Sequence, residues 1–107
     1  MIVMSDLSTK KSSKIFTGSK IMVKEPELYK VVMLNDNFTT MEFVVEILID
    51  IFGKTEAEAR KTMLSVHKQG RGVAGVYVYD IALSKIAKVD EAAKEKGFPL
   101  KCIAEKE

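Results

Sequence analysis

Asn35, Met41, Met63 and His67 are the side chains of this 107-residue chain whose types and spacing suggest a working site. Bond-making chemistry would have to start from His67, the one histidine, and finds no companions. A hydrolytic triad needs an activated serine, threonine or cysteine, and no G-x-S-x-G signature occurs. His67 with Asp36 could form an acid–base pair, but two polar residues without an oxyanion site do not make an active centre. One histidine and one cysteine, Cys102, leave two zinc ligands to be drawn from carboxylates that show no ligand-pair spacing. No glycine loop is arranged to cradle phosphate. An enzyme, a metal and a cofactor are therefore not expected, and what remains is binding.

Each of the four has an ordinary explanation alone: methionines at helical spacing are usually core, asparagines before a helix are turn residues, and a histidine often bonds a backbone carbonyl. Their combination says more. The polar turn Asn35-Asp36-Asn37 runs straight into a segment whose start carries Met41, and Met63 lies one helical turn before His67. Methionine is flexible and polarizable, so it lines pockets that accept more than one apolar shape. A hydrophobic hole rimmed by neutral acceptors suits a ligand with an apolar body and an ammonium head.

The elements that must position these residues follow from periodicity. Tyr29 to Leu34 alternates and is rich in β-branched types, which predicts a strand. Thr39-Thr-Met-Glu42 matches a capping box, and Met41, Val44, Val45, Leu48, Ile51 and Phe52 fall at helical spacing up to Gly53. Thr55-Glu-Ala-Glu58 opens a second helix whose inner face holds Ala59, Met63, Val66 and Gly70. Val73 to Tyr79 reads as a second strand. Asp80 is placed to cap a third helix facing inward through Ile81, Ile86, Val89 and Ala93, stopped by Gly97 and Pro99. Leu100 to Ala104 completes the order β-α-α-β-α-β. The expected fold is α+β, a compact single domain with a three-stranded antiparallel sheet and three helices packed on it.

Charged residues make up 30% and hydrophobic ones 47%, the balance of a globular chain. Of 17 basic and 15 acidic side chains, five lysines against Asp6, Glu25 and Glu27 precede Tyr29. The folded part is thus neutral, without the basic stripe of a nucleic-acid binder. Residues 1–28 show no periodicity and are expected to be a flexible extension, with the folded domain at 29–107. Nothing resembles a secretory signal or a membrane span, so a cytoplasmic address is expected.

Tyr29-Lys-Val-Val-Met-Leu-Asn-Asp-Asn-Phe-Thr-Thr-Met-Glu-Phe-Val44, followed by Met63-Leu-Ser-Val-His-Lys-Gln-Gly70, resembles the ClpS family. These adaptors deliver N-end-rule substrates to the ClpA or ClpC unfoldase and its ClpP protease. The likeness extends from Tyr29 through Gly75-Val76, the Asp80 to Lys85 stretch and Pro99-Leu100. It implies that Asn35 and His67 hold the substrate's free α-amino group, with Asp36 and Asn37 beside them. It also implies a gate at Met41 and a socket walled by Thr39, Val44, Met63, Val66 and Leu100. Such a socket accepts Leu, Phe, Tyr or Trp, and rejects Ile and Val because Cβ branching collides with the gate. Asp80 and Lys85 match positions that contact the unfoldase's N-terminal domain. Asn37 departs from the family's usual aspartate. The alternative function is a protein-docking domain of similar fold, comparable to the C-terminal domain of the ribosomal stalk, that ignores free N-termini.

Overall fold

The computed structural model describes residues 13–17 and 20–107, with side-chain surroundings from residue 25 onward. Strands β1 (Ser13–Thr17) and β2 (Lys20–Lys24) precede β3 (Leu28–Leu34), α1 (Met41–Asp50), α2 (Glu56–Gln69), β4 (Arg71–Val78), α3 (Tyr79–Lys96) and β5 (Lys101–Lys106). From β3 onward this is the expected β-α-α-β-α-β order. β3 is the central strand, antiparallel to β4 on one side and to β5 on the other.

Within the extension expected over residues 1–28, β1 and β2 pair antiparallel from Ser13↔Lys24 to Thr17↔Lys20. The paired backbone positions include Ile15↔Met22 and Phe16↔Ile21, whose apolar and β-branched types favour strand despite the serines and threonines around them. Residues 1–12 and 18–19, the rest of that expectation, lie outside the described residues.

The alternation of β3 sends Val31 and Met33 to the helical layer, where they meet Ala74 of β4 and Cys102 of β5. Between Val31, paired with Gly75, and Val32, paired with Val73, the register shifts by one residue. Ala74 is the unpaired extra residue of this bulge, and it is turned into the core at 1% exposure. Over these residues α1 lays Val44, Val45 and Leu48, α2 lays Ala59, Met63 and Val66, and α3 lays Ala82, Val89 and Ala93. The third helix differs from expectation here. Its inner stripe runs through Ala82, Ile86, Val89 and Ala93, while Ile81 is 44% exposed. Positions 82, 86, 89 and 93 repeat at helical spacing with a small residue where α3 leaves the sheet, so the helix approaches closely.

Helix starts were partly misplaced by the sequence patterns. Thr55 and Glu58 form the reciprocal capping box expected for α2, at 2.9 and 3.2 Å. For α1 the cap is Thr40, not Thr39: its hydroxyl accepts from the Phe43 N–H at 3.1 Å, and Glu42 is one position too early to reciprocate. Asp80 does not cap α3. That helix begins at Tyr79 directly from β4, with Val78 at the cap position and no side-chain cap bond. Asp80 sits in the first turn, where its charge favours the positive end of the helix dipole.

Gly72 sets how closely α2 lies on the sheet. A Cβ there would fall 2.8 Å from Val66 Cγ2 and 3.1 Å from the Thr62 carbonyl oxygen. Gly72→Ala therefore pushes against backbone as well as side chain, and overpacking of this kind costs roughly 1–3 kcal/mol. Chemical denaturation should show a lower midpoint with an unchanged slope; an unaltered midpoint would mean that α2 does not bear on β4 at this point.

Candidate functional site

The loop after β3 and the end of α2 are separate in sequence but joined by the backbone. The Asn35 N–H donates to the Gly70 carbonyl at 3.0 Å, one step beyond the Leu34↔Arg71 pair. Gly70 closes α2 with φ +87°, and its own N–H donates to the Val66 carbonyl at 3.0 Å. Left-handed backbone of this kind favours glycine, which lets the chain leave α2 and enter β4 within one residue. His67 occupies the last turn of α2 and is exposed, as are Asn35 and Asn37. Among the described residues none of these three side chains has a hydrogen-bond partner. The asparagines and the histidine singled out from sequence are thus grouped around one backbone bond, with polar atoms open to a ligand.

Asp36 is used differently. Its Oδ1 accepts from the backbone N–H groups of Phe38 at 2.8 Å and Thr39 at 2.7 Å, and its Oδ2 accepts from the Thr39 hydroxyl at 2.7 Å. Burial works against the charge, but the Thr39 and Phe38 donors outweigh it and hold the carboxyl below its ordinary range. Occupying Thr39 in this way is also what leaves Thr40 to cap α1. Asp36 shapes the loop through these three bonds.

Next to this loop, Met41 is the first residue of α1 and is 41% exposed, whereas Met63 is 7% exposed. Both line a cleft of about 240 Å³ between α1 and α2, together with Glu42, Val45 and Arg60. Val44, Val66 and Leu100, expected in the socket wall, are buried members of the core cluster that also contains Met63. Thr39 is half-buried in the loop. Glu42, Val45 and Arg60 are not among the residues expected there from the sequence. Helical spacing was the available signal, since Val45 is one turn after Met41 and Arg60 one turn before Met63.

The two positions expected to face another protein have diverged. Asp80 is exposed. Lys85 is half-buried: its Nζ donates to the Ile51 carbonyl at 2.7 Å, past the end of α1, and lies 5.6 Å from the Tyr77 ring centroid. Burial, with help from Lys88, holds its pKa below the ordinary lysine value. Lys85 thereby ties α3 to the end of α1 with one of its three donors.

Elsewhere the chemistry is quiet. Burial, and then the nearby Asp90 charge, pushes the Cys102 thiol up to about 12, so it is not a nucleophile. Among the described residues no group of three or more His, Cys, Asp and Glu side chains is placed to hold a metal ion. No helix among them is long and apolar enough to cross a membrane.

Comparison with known proteins agrees with this picture of a recognition module. Residues 24–103 match the family described as ATP-dependent Clp protease adaptor protein ClpS. The ClpS adapter of Acetivibrio thermocellus is 58% identical over 84 residues, 78% of this chain and 85% of that one. The ClpS adapter of Wolinella succinogenes is 51% identical over 86 residues, 80% of this chain and 84% of that one. Among solved structures, Agrobacterium tumefaciens ClpS2 bound to L-phenylalaninamide superposes with a TM-score of 0.75 at 40% identity, covering 78% of this chain and all (100%) of the other. With the fold and the family match in agreement, the chain belongs to the ClpS family, whose members are adaptors of the ATP-dependent Clp protease rather than enzymes.

Proposed function

We propose that the chain recognises the first residue of a substrate, through its free α-amino group and a Leu, Phe, Tyr or Trp side chain, and delivers that substrate to a ClpA- or ClpC-type unfoldase for degradation by ClpP. The observation that carries this is the Asn35–Gly70 backbone bond, which brings unpaired Asn35 and Asn37 beside the turn that holds His67. An α-ammonium has three donors, and asparagine carbonyls with a neutral imidazole are matching acceptors. The carboxyl end of α2 adds the partial negative charge of its helix dipole. Met41 and Met63 supply adaptable apolar surface nearby. The ligand of the Agrobacterium relative, L-phenylalaninamide, has this chemistry: a free α-amine on a carbon bearing a benzyl group.

In this reading Asn35 and His67 hold the amine with Asn37 beside them, Met41 is the gate, and Thr39, Val44, Met63, Val66 and Leu100 give the socket its depth. Asp80, in the exposed first turn of α3, and Lys85, which also anchors α3 at Ile51, face the unfoldase's N-terminal domain. Such an adaptor works in the cytoplasm beside its protease.

A fluorescent Leu-initiated peptide should bind the full chain, and its N-acetylated form should not. Equal binding of the two would replace this function by that of a docking domain indifferent to free N-termini.

Asn37→Asp should tighten that binding about five- to tenfold, because a charge-assisted hydrogen bond exceeds a neutral one by roughly 1 kcal/mol. Unchanged affinity in the same titration would remove Asn37 from the amine site.

His67→Ala removes one acceptor of the ammonium, so binding of the same Leu-initiated peptide should weaken by roughly 1 kcal/mol, about fivefold. Unchanged affinity would exclude His67 from contact with the amine.

A further inference from the structure

Away from the loop and cleft, the ammonium of Lys85 is held from two sides. Its Nζ donates to the Ile51 carbonyl at 2.7 Å and lies over the Tyr77 ring, 5.6 Å from the centroid. Tyr77 belongs to β4, Lys85 to α3, and Ile51 closes α1, so three elements meet at one charge. The ring is itself seated. Its centroid is 6.4 Å from that of Phe52, and its far end lies back along its own strand over Gly75. A Cβ at Gly75 would fall 2.6 Å from Tyr77 Cε2 and Cζ and would also meet the hydroxyl oxygen. Gly75 is not among the glycines with positive φ, so the ring, and not a turn, is what requires a residue without a side chain. Among the described residues no carboxylate pairs with Lys85. Two of its three N–H donors therefore remain open, on an ammonium that is already fixed in place.

We propose that Tyr77, seated on Gly75, is a positioning residue for docking to the unfoldase: its ring holds the Lys85 ammonium at the end of α1, ready for a carboxylate of the partner. The proposal rests on the docking role proposed above for Lys85 and names the residues that fix it. A lysine free in solvent loses rotamer freedom when a partner captures it, whereas one already held between a carbonyl and an aromatic face loses less. The ring face attracts the cation without using a donor, so holding the ammonium does not exhaust its hydrogen-bonding capacity. The tyrosine hydroxyl has no part in this, because the attraction comes from the ring.

The test titrates full-length variants against an intact ClpA- or ClpC-type unfoldase and, in parallel, against the fluorescent Leu-initiated peptide. Tyr77→Leu removes the ring, and Gly75→Ala keeps the ring but displaces it. Each should weaken docking about two- to fivefold, the range of an exposed cation–π contact, and leave peptide affinity unchanged. Tyr77→Phe restores the ring without the hydroxyl and should dock as the wild type does. Lys85→Met removes the charge and keeps the stem, and in that background Tyr77→Leu should cause no further loss. An equal loss with and without Lys85 overturns the proposal, since Tyr77 would then act by itself. So does a Tyr77→Phe variant as weak as Tyr77→Leu, or undiminished docking of Tyr77→Leu when Lys85→Met is impaired. If Tyr77→Leu also loses peptide binding, its fold is disturbed, and Gly75→Ala carries the same comparison in the two backgrounds. If Lys85→Met docks as tightly as the wild type, the docking role of Lys85 falls, and the positioning role with it.

Discussion

The hydrogen bond from the Asn35 N–H to the Gly70 carbonyl is the contact on which the site depends. It follows the last β3–β4 pair and fixes the loop after the central strand against the end of α2. Because it is a backbone bond, it holds whatever the side chains are doing and leaves those of Asn35 and His67 unpaired. Its one demanding requirement is the left-handed turn at Gly70, where a Cβ would cost roughly 1–2 kcal/mol. Gly72, two residues later, lets α2 settle on β4 closely enough for that geometry to persist.

Around this bond the charged residues divide by use. Asp36 gives both carboxylate oxygens to the loop, and Lys85 gives its ammonium to the carbonyl of Ile51. Each satisfies backbone or hydroxyl groups where the chain leaves a regular element and its polar groups need partners. Among the described residues the Asn35 and Asn37 amides and the His67 imidazole carry no such duty. The same division explains a binding site without catalytic character. The one thiol is buried and raised, and among the described residues the one histidine has no carboxylate bonded to it.

Much of this was legible from residue order. The alternation of Tyr29 to Leu34 and the capping box at Thr55 depend on near neighbours, and the structure has both. The failures occurred where a distant or competing partner intervened. Thr39 fits a capping pattern, but Asp36 captures its hydroxyl and the helix starts one residue later. Asp80 looks like a cap, yet Tyr79 has already begun α3, its ring 4.8 Å from that of Tyr29 on β3. Ile81 reads as core until Ala82 turns out to face the sheet.

Residue order alone carries the order of elements from β3 onward and the neutral charge of the folded body, and it singles out Asn35, Met41, Met63 and His67 as candidates. Periodicity, capping and motif order are local properties, and local properties survive without coordinates. Only the tertiary structure decided how the site is assembled. It showed Asp36 turned into its own loop, Val44, Val66 and Leu100 in the core, and Val45, Glu42 and Arg60 beside the methionines. Those outcomes depend on which of several polar or apolar groups reaches a partner first when α1, α2 and the sheet pack. Competition of that kind is settled in three dimensions, by distances that no spacing along the chain encodes.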